Sequence, residues 1–211
     1  YAVPQILTNQ ADDFLYTDGK LQEYYGYEEI NLNLGCPSRT VVTKCRGAGF
    51  LGEPERLKKF LDEIFEKCSI KISLKTRLGM EDPEEFGQIL TIYNSFPVEE
   101  IIIHPRVQKD FYRNTPDLEA FGKAFSQSRN PVCYNGDITS VEDFQRITER
   151  FPGLDRVMTG RGVLANPALG RELQGGQPAS VSEIRKFLDL LYEGYCREMS
   201  GDRTILYKMK E

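Results

Sequence analysis

Short runs of apolar and β-branched residues alternate along the chain with stretches in which apolar residues recur every three or four positions. The short runs predict six buried strands, at residues 3–7, 30–34, 70–76, 100–104, 131–134 and 156–159. The longer stretches predict amphipathic helices, clearest at residues 57–68, 86–93, 118–125 and 141–151. Alternating strands and helices are typical of a parallel sheet covered by helices.

Six strands fit either an open, doubly wound sheet or most of a barrel. No GxGxxG segment follows the first predicted strand, which argues against a dinucleotide-binding fold. Because the chain begins almost inside a strand, we interpret it as an α/β protein, a (β/α)8 TIM barrel that lacks its first two strands. Residues 174–180 resemble a linker. We therefore expect a barrel domain at residues 1–173 and the start of a C-terminal helical domain at residues 174–211.

Composition narrows the class of protein. Of the 211 residues, 40% are hydrophobic, enough for a sizeable core, and no apolar run approaches the ~20 residues of a membrane helix, so we expect no membrane partner. The five cysteines form no CxxC pair and there is one histidine, which argues against disulfides and a metal site and favours the cytoplasm. The net charge of −5 argues only weakly against nucleic acid, because a basic patch can be local.

A thiol stands at the end of the second predicted strand. The run from Asn31 leaves the sheet at Gly35 and presents Cys36 before Pro37. Since parallel folds carry their chemistry at the carboxyl ends of strands, Cys36 is a candidate nucleophile or proton donor, although most free cysteines are simply small buried hydrophobes. Residues 38–49, polar and basic, predict a mobile lid over the site.

Other strand ends carry cations, amides and glycines. Lys75 and Arg77 alternate onto one face, which favours an anionic ligand over an exposed edge strand. The sole histidine, His104, ends the next strand and has either a structural or a functional role. Two consecutive strand ends carry glycine loops, which predict phosphate binding rather than ordinary turns. These loops comprise Asn135, Gly136 and Asp137, then Gly160 and Arg161.

Taken together, these motifs resemble the active-site segments of tRNA-dihydrouridine synthases, in the same order along nearly the whole predicted barrel. The matching segments are NLGCP at 33–37 with the basic loop after it, KTRLG at 75–79, HPR at 104–106 with Tyr112, NGDI at 135–138 and MTGRG at 158–162. The resemblance implies a barrel that binds FMN, uses NADPH as reductant and converts uridine in tRNA to 5,6-dihydrouridine. The helical domain would help to hold the tRNA. The motifs do not determine the oligomeric state, and we expect a monomer.

The resemblance also implies residue roles. Cys36 would protonate C5 while hydride from the flavin reaches C6, which suits a thiol of ordinary pKa, about 8.5, that stays protonated at neutral pH. The implied cofactor contacts are Gln5, Asn33, Lys75, His104, Asn135, Gly136, Asp137, Gly160 and Arg161. Candidate tRNA contacts are Arg39, Lys44, Arg46 and Arg106.

Two alternative functions stay open from the sequence. One is another FMN barrel that acts on a free pyrimidine, similar to a dihydroorotate dehydrogenase. The other is a non-catalytic barrel that binds RNA. Two positions depart from the resemblance, since Cys45 replaces a smaller residue and Pro105 replaces glycine or alanine.

Overall fold

The computed structural model describes residues 2–210, and its centre is one parallel sheet of five strands in the order β1-β2-β3-β4-β5. The strands are β1 (Gln5–Ile6), β2 (Glu29–Leu34), β3 (Lys71–Arg77), β4 (Ile101–His104) and β5 (Val132–Tyr134). The α-helices are α1 (Ala11–Tyr25), α2 (Arg39–Val42), α3 (Pro54–Lys67), α4 (Phe86–Tyr93), α5 (Leu118–Gln127), α6 (Val141–Arg150), α7 (Arg161–Ala165), α8 (Leu169–Leu173), α9 (Val181–Glu198) and α10 (Asp202–Lys208). The predicted alternation of strands and helices is confirmed.

The sixth predicted strand, residues 156–159, is reduced to one parallel bridge between Val157 and Tyr134. The Tyr134 amide donates to the Arg156 carbonyl at 3.2 Å, and the Met158 amide donates to the Tyr134 carbonyl at 2.8 Å. Its partner β5 is only three residues long, and Gly160 follows directly, so the ladder has little length over which to grow. The segment nevertheless continues the sheet in the parallel sense.

Helices α3 to α6 lie where the apolar spacing predicts them. Side-chain caps help to define two of their starts, because Asp117 accepts from the amides of Glu119 and Ala120, and Ser140 accepts from the amide of Asp143. Helix α1 was not singled out from the sequence. It buries only Phe14 and Asp18, so its apolar stripe is too sparse to mark a helix.

The two faces of the sheet differ in character. Toward the helices, the strands bury aliphatic side chains in one core cluster, among them Ile30, Leu32, Leu74 and Ile103. Toward the inside, alternate positions of β1 to β3 carry polar groups instead. The inward residues are Gln5, Asn31, Asn33, Ser73 and Lys75, and the registers pair Gln5 with Asn31, Asn31 with Ser73 and Asn33 with Lys75. Barrel interiors are normally filled by bulky branched residues, so a polar floor indicates a ligand-facing surface.

Beyond α8, residues 174–180 form no helix or strand, as the linker interpretation predicts. Helix α9 then buries none of its residues and exposes the apolar side chains of Ile184, Phe187 and Leu188. Its Glu183 pairs with Arg171 of α8 at 2.9 Å. The division into two domains stays a prediction. Among residues 2–210, the structure contains no helix with the length and apolar character needed to cross a membrane.

Candidate active site

A cleft of about 710 Å³ opens at the carboxyl ends of the strands. Parallel pairing places all the strand ends at this edge, so residues far apart in sequence meet there. The predicted site residues that line it are Gln5, Asn33, Cys36, Lys75, His104, Asn135, Gly136, Gly160 and Arg161. The structure therefore brings together Cys36 and nearly all the predicted cofactor contacts.

Cys36 is held by its backbone. The Asn33 Oδ1 atom accepts from the amides of Gly35 and Cys36, at 3.1 and 3.0 Å. The Cys36 carbonyl accepts from the Ala48 amide at 3.0 Å. Asn33 was predicted only as a cofactor contact. Its side chain also holds the turn that presents the Cys36 thiol.

The neighbours of Cys36 are held in the same way. Arg77 Nε donates to the Gly35 carbonyl and Gln108 Nε2 donates to the Pro37 carbonyl, both at 3.0 Å. Since proline has no N–H, every backbone polar atom of residues 35–37 now has a partner within the protein. Such a segment is rigid before any ligand arrives.

The predicted lid, residues 38–49, is anchored to the body of the protein. Asn9 Nδ2 donates to the carbonyls of Lys44 and Cys45, at 3.0 and 2.9 Å. Gly47 has φ +54°, and a Cβ there would lie 2.8 Å from the Cys36 carbonyl oxygen, so only glycine lets the loop return against the cysteine. Sequence reasoning missed Asn9, because a single asparagine after a short strand carries no distinctive signal.

Lys75 and Arg77 have different roles in the structure, although the sequence predicts that both face the same ligand. Arg77 is buried, and besides Gly35 it donates to the carbonyls of Val107 at 3.0 Å and Phe111 at 2.6 Å. Lys75 has no ion-pair partner among residues 2–210. Burial, and to a lesser extent the Arg77 charge, lower the pKa of Lys75. An unpaired ammonium that is partly buried in a cleft indicates that an anionic or electron-rich group belongs beside it.

His104 is a neutral imidazole. Arg106 Nη1 lies 3.0 Å from His104 Nε2, and because a guanidinium has only donors, Nε2 accepts and Nδ1 carries the proton. Burial, followed by the charges of Arg77 and Lys75, lowers the pKa of His104 to about 3, against a weaker opposing effect of a hydrogen bond with Asn135.

The structure corrects the prediction for Arg106. Its side chain is 1% exposed and pairs with Asp137 at 2.5 Å, while Nε and Nη2 donate to the carbonyls of Arg113 and Asn114. It turns inward because these acceptors and the Asp137 charge compensate the guanidinium there. Arg106 is therefore not available to contact tRNA.

Asp137 is the one predicted cofactor contact that does not line the cleft. It pairs with Arg161 at 2.7 Å as well as with Arg106. The Arg106 hydrogen bond, with the two guanidinium charges, holds the pKa of this carboxyl below its ordinary value. The carboxylate of Asp137 therefore holds Arg161, and the predicted contact of Asp137 with a phosphate stays a prediction.

The two glycine loops differ in how much space surrounds their glycines, Gly136 and Gly160. At Gly136 a Cβ would lie 1.9 Å from the Tyr134 hydroxyl oxygen, so the need for glycine is explained by Tyr134. At Gly160 a Cβ would meet nothing within 4 Å. The open backbone at Gly160 and the exposed Arg161 side chain keep the prediction of an anion site at this end of the cleft.

Tyr112 forms one wall of the cleft. Its ring lies between the guanidinium carbons of Arg77 and Arg161, which are 5.4 and 5.2 Å from the ring centroid. His104 meets it edge to face at 6.2 Å. The loop that carries Tyr112 bends sharply, with φ +51° at Phe111.

The remaining tRNA candidates lie on or near the anchored loop. Arg39 and Lys44 are exposed. Arg46 is half-buried, and its Nε donates to Asn9 Oδ1 at 3.3 Å. Within the described part of the chain, Arg39 and Lys44 form no ion pair and can meet a polyanion, whereas Arg46 also helps to anchor the loop. None of these residues lines the cleft.

Residues 2–205 match the dihydrouridine synthase family. The chain belongs to this family. It is 31% identical to a tRNA-dihydrouridine(16) synthase of Vibrio parahaemolyticus over 86% of the chain and 56% of that protein. It is 29% identical to tRNA-dihydrouridine synthase B of Pasteurella multocida, over 71% of the chain and 45% of that protein. The chain spans about half the length of these curated relatives.

Among solved structures, the chain is similar to a morphinone reductase variant in complex with tetrahydroNAD. The TM-score is 0.55 at 11% identity, over 81% of this chain and 50% of that one. At this identity the likeness concerns the fold alone. Morphinone reductase is a TIM barrel, so the match and the parallel sheet confirm the predicted fold class. The family resemblance drawn from the motifs is confirmed as well.

The neutral state of His104 predicts a pH dependence of stability. The folded protein resists protonation down to a pKa of about 3, whereas the unfolded chain binds a proton near 6.5. The free energy of unfolding should therefore fall as the pH drops below 6.5, by up to ~1.4 kcal/mol per pH unit. Urea titrations between pH 6.5 and 5 measure this slope, which His104→Gln should remove. Because the chain has one histidine, NMR can follow the ring directly. A ring that titrates near 6.5 in the folded protein would contradict the prediction.

The buried guanidinium of Arg106 predicts a large loss of stability on its removal. Arg106→Met leaves the carbonyls of Arg113 and Asn114 without their donor and Asp137 with Arg161 as its remaining partner. It should lower the free energy of unfolding by about 2–3 kcal/mol. Urea denaturation measures the loss. Lys109→Ala is the matched control, since its pair with Glu81 is exposed at both ends and should change stability by less than about 0.5 kcal/mol. Equal effects of the two variants would show that burial of Arg106 does not stabilise the loop.

Proposed function

We propose that this protein reduces uridine in tRNA to 5,6-dihydrouridine, with FMN as cofactor, NADPH as reductant and Cys36 as proton donor. The observation that carries the proposal is the Cys36 thiol, held at the mouth of a cleft that also contains the unpaired ammonium of Lys75. Membership of the dihydrouridine synthase family supports this reading over a free-pyrimidine oxidoreductase or a non-catalytic RNA-binding barrel.

The residues of the cleft fit FMN. An isoalloxazine ring is flat, is rimmed with hydrogen-bonding atoms and gains negative charge on reduction. Lys75, Asn33 and Asn135 offer a cation and two amides in the lining of the cleft. At the other end, the open backbone of Gly160 and the Arg161 guanidinium suit a phosphate. When bound, FMN supplies the hydride that the uracil ring accepts at C6.

Cys36 completes the reduction of the C5=C6 bond. As C6 gains hydride, the S–H bond breaks, C5 takes the proton, and the sulfur keeps the electron pair as a thiolate that solvent later reprotonates. Lys75 lines the same cleft as Cys36, and its positive charge would stabilise that thiolate. His104, with a pKa of about 3, carries no spare proton at neutral pH, so it does not compete as the acid.

Substrate access supports the same assignment. A uracil inside folded RNA must leave its stack to reach C5 and C6, and the cleft is open to solvent beside the exposed Tyr112. The exposed cations Arg39 and Lys44 stand on the loop that follows Cys36 and are placed to meet the tRNA backbone. Helices α9 and α10 begin the part of the protein that we expect to hold the rest of the tRNA.

The role of Cys36 predicts the loss of product without the loss of cofactor. Cys36→Ala should lower dihydrouridine formation in tRNA by at least about 100-fold, in line with general acid catalysis, and leave FMN absorbance unchanged. Mass spectrometry of tRNA nucleosides measures the product. Cys45→Ala, in the same loop, is the matched control and should keep most of the activity. Wild-type dihydrouridine levels in Cys36→Ala would overturn the assignment of the acid.

The unpaired charge of Lys75 predicts opposite effects on binding and stability. Lys75→Met should weaken FMN binding by about tenfold or more, as expected for a lost charge-assisted contact. The melting temperature should stay the same or rise, because a buried ammonium without a carboxylate partner costs stability. Flavin fluorescence titration and thermal unfolding measure the two effects. The control is Lys71→Met, an exposed position on the same strand. A lower melting temperature with unchanged FMN affinity would mean that Lys75 is structural.

A further inference from the structure

A chain of side-chain hydrogen bonds crosses the polar floor of the sheet from Ser73 to Cys36. Asn33 Nδ2 donates to Gln5 Oε1 at 2.7 Å, and Gln5 Nε2 donates to Asn31 Oδ1 at 2.8 Å. Asn31 Nδ2 then donates to Ser73 Oγ at 2.9 Å. We call these four side chains the amide relay. Its buried end is deep in the protein, since Asn31 is 5% exposed and Ser73 is 1% exposed.

The direction of every amide in the relay is set by the turn at Cys36. Because two backbone N–H groups point at Asn33, its oxygen must face them and its NH2 must face Gln5. Gln5 must then offer its oxygen to Asn33 and its NH2 to Asn31. Every amide of the relay is satisfied only because the Ser73 hydroxyl, at the buried end, accepts a hydrogen bond from the Asn31 NH2 group.

We infer that Asn31 and Ser73 are positioning residues for Cys36, which they orient through Gln5 and Asn33. Without the Ser73 hydroxyl, the Asn31 NH2 group is buried with no acceptor. Turning the Asn31 amide would set its NH2 against that of Gln5, and turning the exposed Gln5 amide in response would set its NH2 against that of Asn33. Loss of the Ser73 hydroxyl therefore weakens the hydrogen bond between Asn33 and the backbone N–H of Cys36, the proposed acid. This inference rests on the proposed function of Cys36, but the hydrogen bonds can be tested without it.

The test compares two isosteric substitutions at one site. Ser73→Thr keeps the hydroxyl and Ser73→Val replaces it by a methyl group, so both add similar bulk. Hydrogen exchange of the Gly35 and Cys36 amides in the intact protein directly measures the strength of their hydrogen bonds to Asn33 Oδ1. With valine we expect both amides to exchange roughly tenfold faster, and kcat for dihydrouridine formation to fall by a similar factor with KM unchanged. Threonine should restore wild-type behaviour in both measurements.

A second hydroxyl on the same strand supplies the control. Thr76 is fully buried on the opposite face, where its hydroxyl contacts Tyr93 at 3.1 Å and no member of the relay. Thr76→Val should lower stability while the Gly35 and Cys36 amides keep their exchange rates relative to those of β4. Ser73→Ala, which adds no bulk, repeats the test if valine prevents folding.

The outcomes separate the two proposals. Equal exchange at Cys36 in Ser73→Val and Ser73→Thr would overturn the positioning role, whatever the activity. Faster exchange in Ser73→Val alone, restored by threonine, supports it. Activity that survives Cys36→Ala would overturn the proposed function instead, and it would leave the exchange result to decide whether the relay holds this turn.

Discussion

Two buried guanidinium groups tie the loops at the carboxyl edge of the sheet into one body. Arg77 bonds the carbonyls of Gly35, Val107 and Phe111, and Arg106 bonds those of Arg113 and Asn114 together with Asp137. Loops leave many carbonyls without partners, and a planar fork with five donors can satisfy several of them at once. The turn at Cys36, the wall at Tyr112 and the position of Arg161 all follow from these contacts.

The charges of Arg77 and Arg106 also shape the electrostatic potential of the cleft. Three cationic side chains lie around His104, and with burial they hold its imidazole neutral. Asp137 compensates Arg106 and Arg161, but no carboxylate among residues 2–210 compensates Lys75. The cleft is therefore polarised, with one positive group that lacks a partner beside the thiol. An arrangement of this kind costs stability and is typical of a functional site rather than of a packed core.

The predictability of the site varied with the chemistry of each residue. The positions of Cys36, Lys75 and His104 followed from strand ends, because parallel pairing brings all carboxyl ends to one edge. Arg106 shows the limit of this reasoning. In the sequence it is one more cation near the site, and only its distances to Asp137 and to the loop carbonyls reveal that it is buried and occupied. Asn9 and Ser73 had no signal in the sequence, since the contacts that give them their roles reach residues 35 or more positions away.

The residue pattern was enough to predict the alternation of strands and helices, the parallel sheet and the set of side chains that meet at its edge. Those features depend on local periodicity, which a single chain displays openly. The partners of each polar group can be seen only in the folded chain. They show which arginines hold the loops, why Gly136 must be glycine, and how the amide relay reaches Cys36. Such hydrogen bonds join residues distant in sequence, and their direction depends on the whole set of neighbours rather than on any one residue.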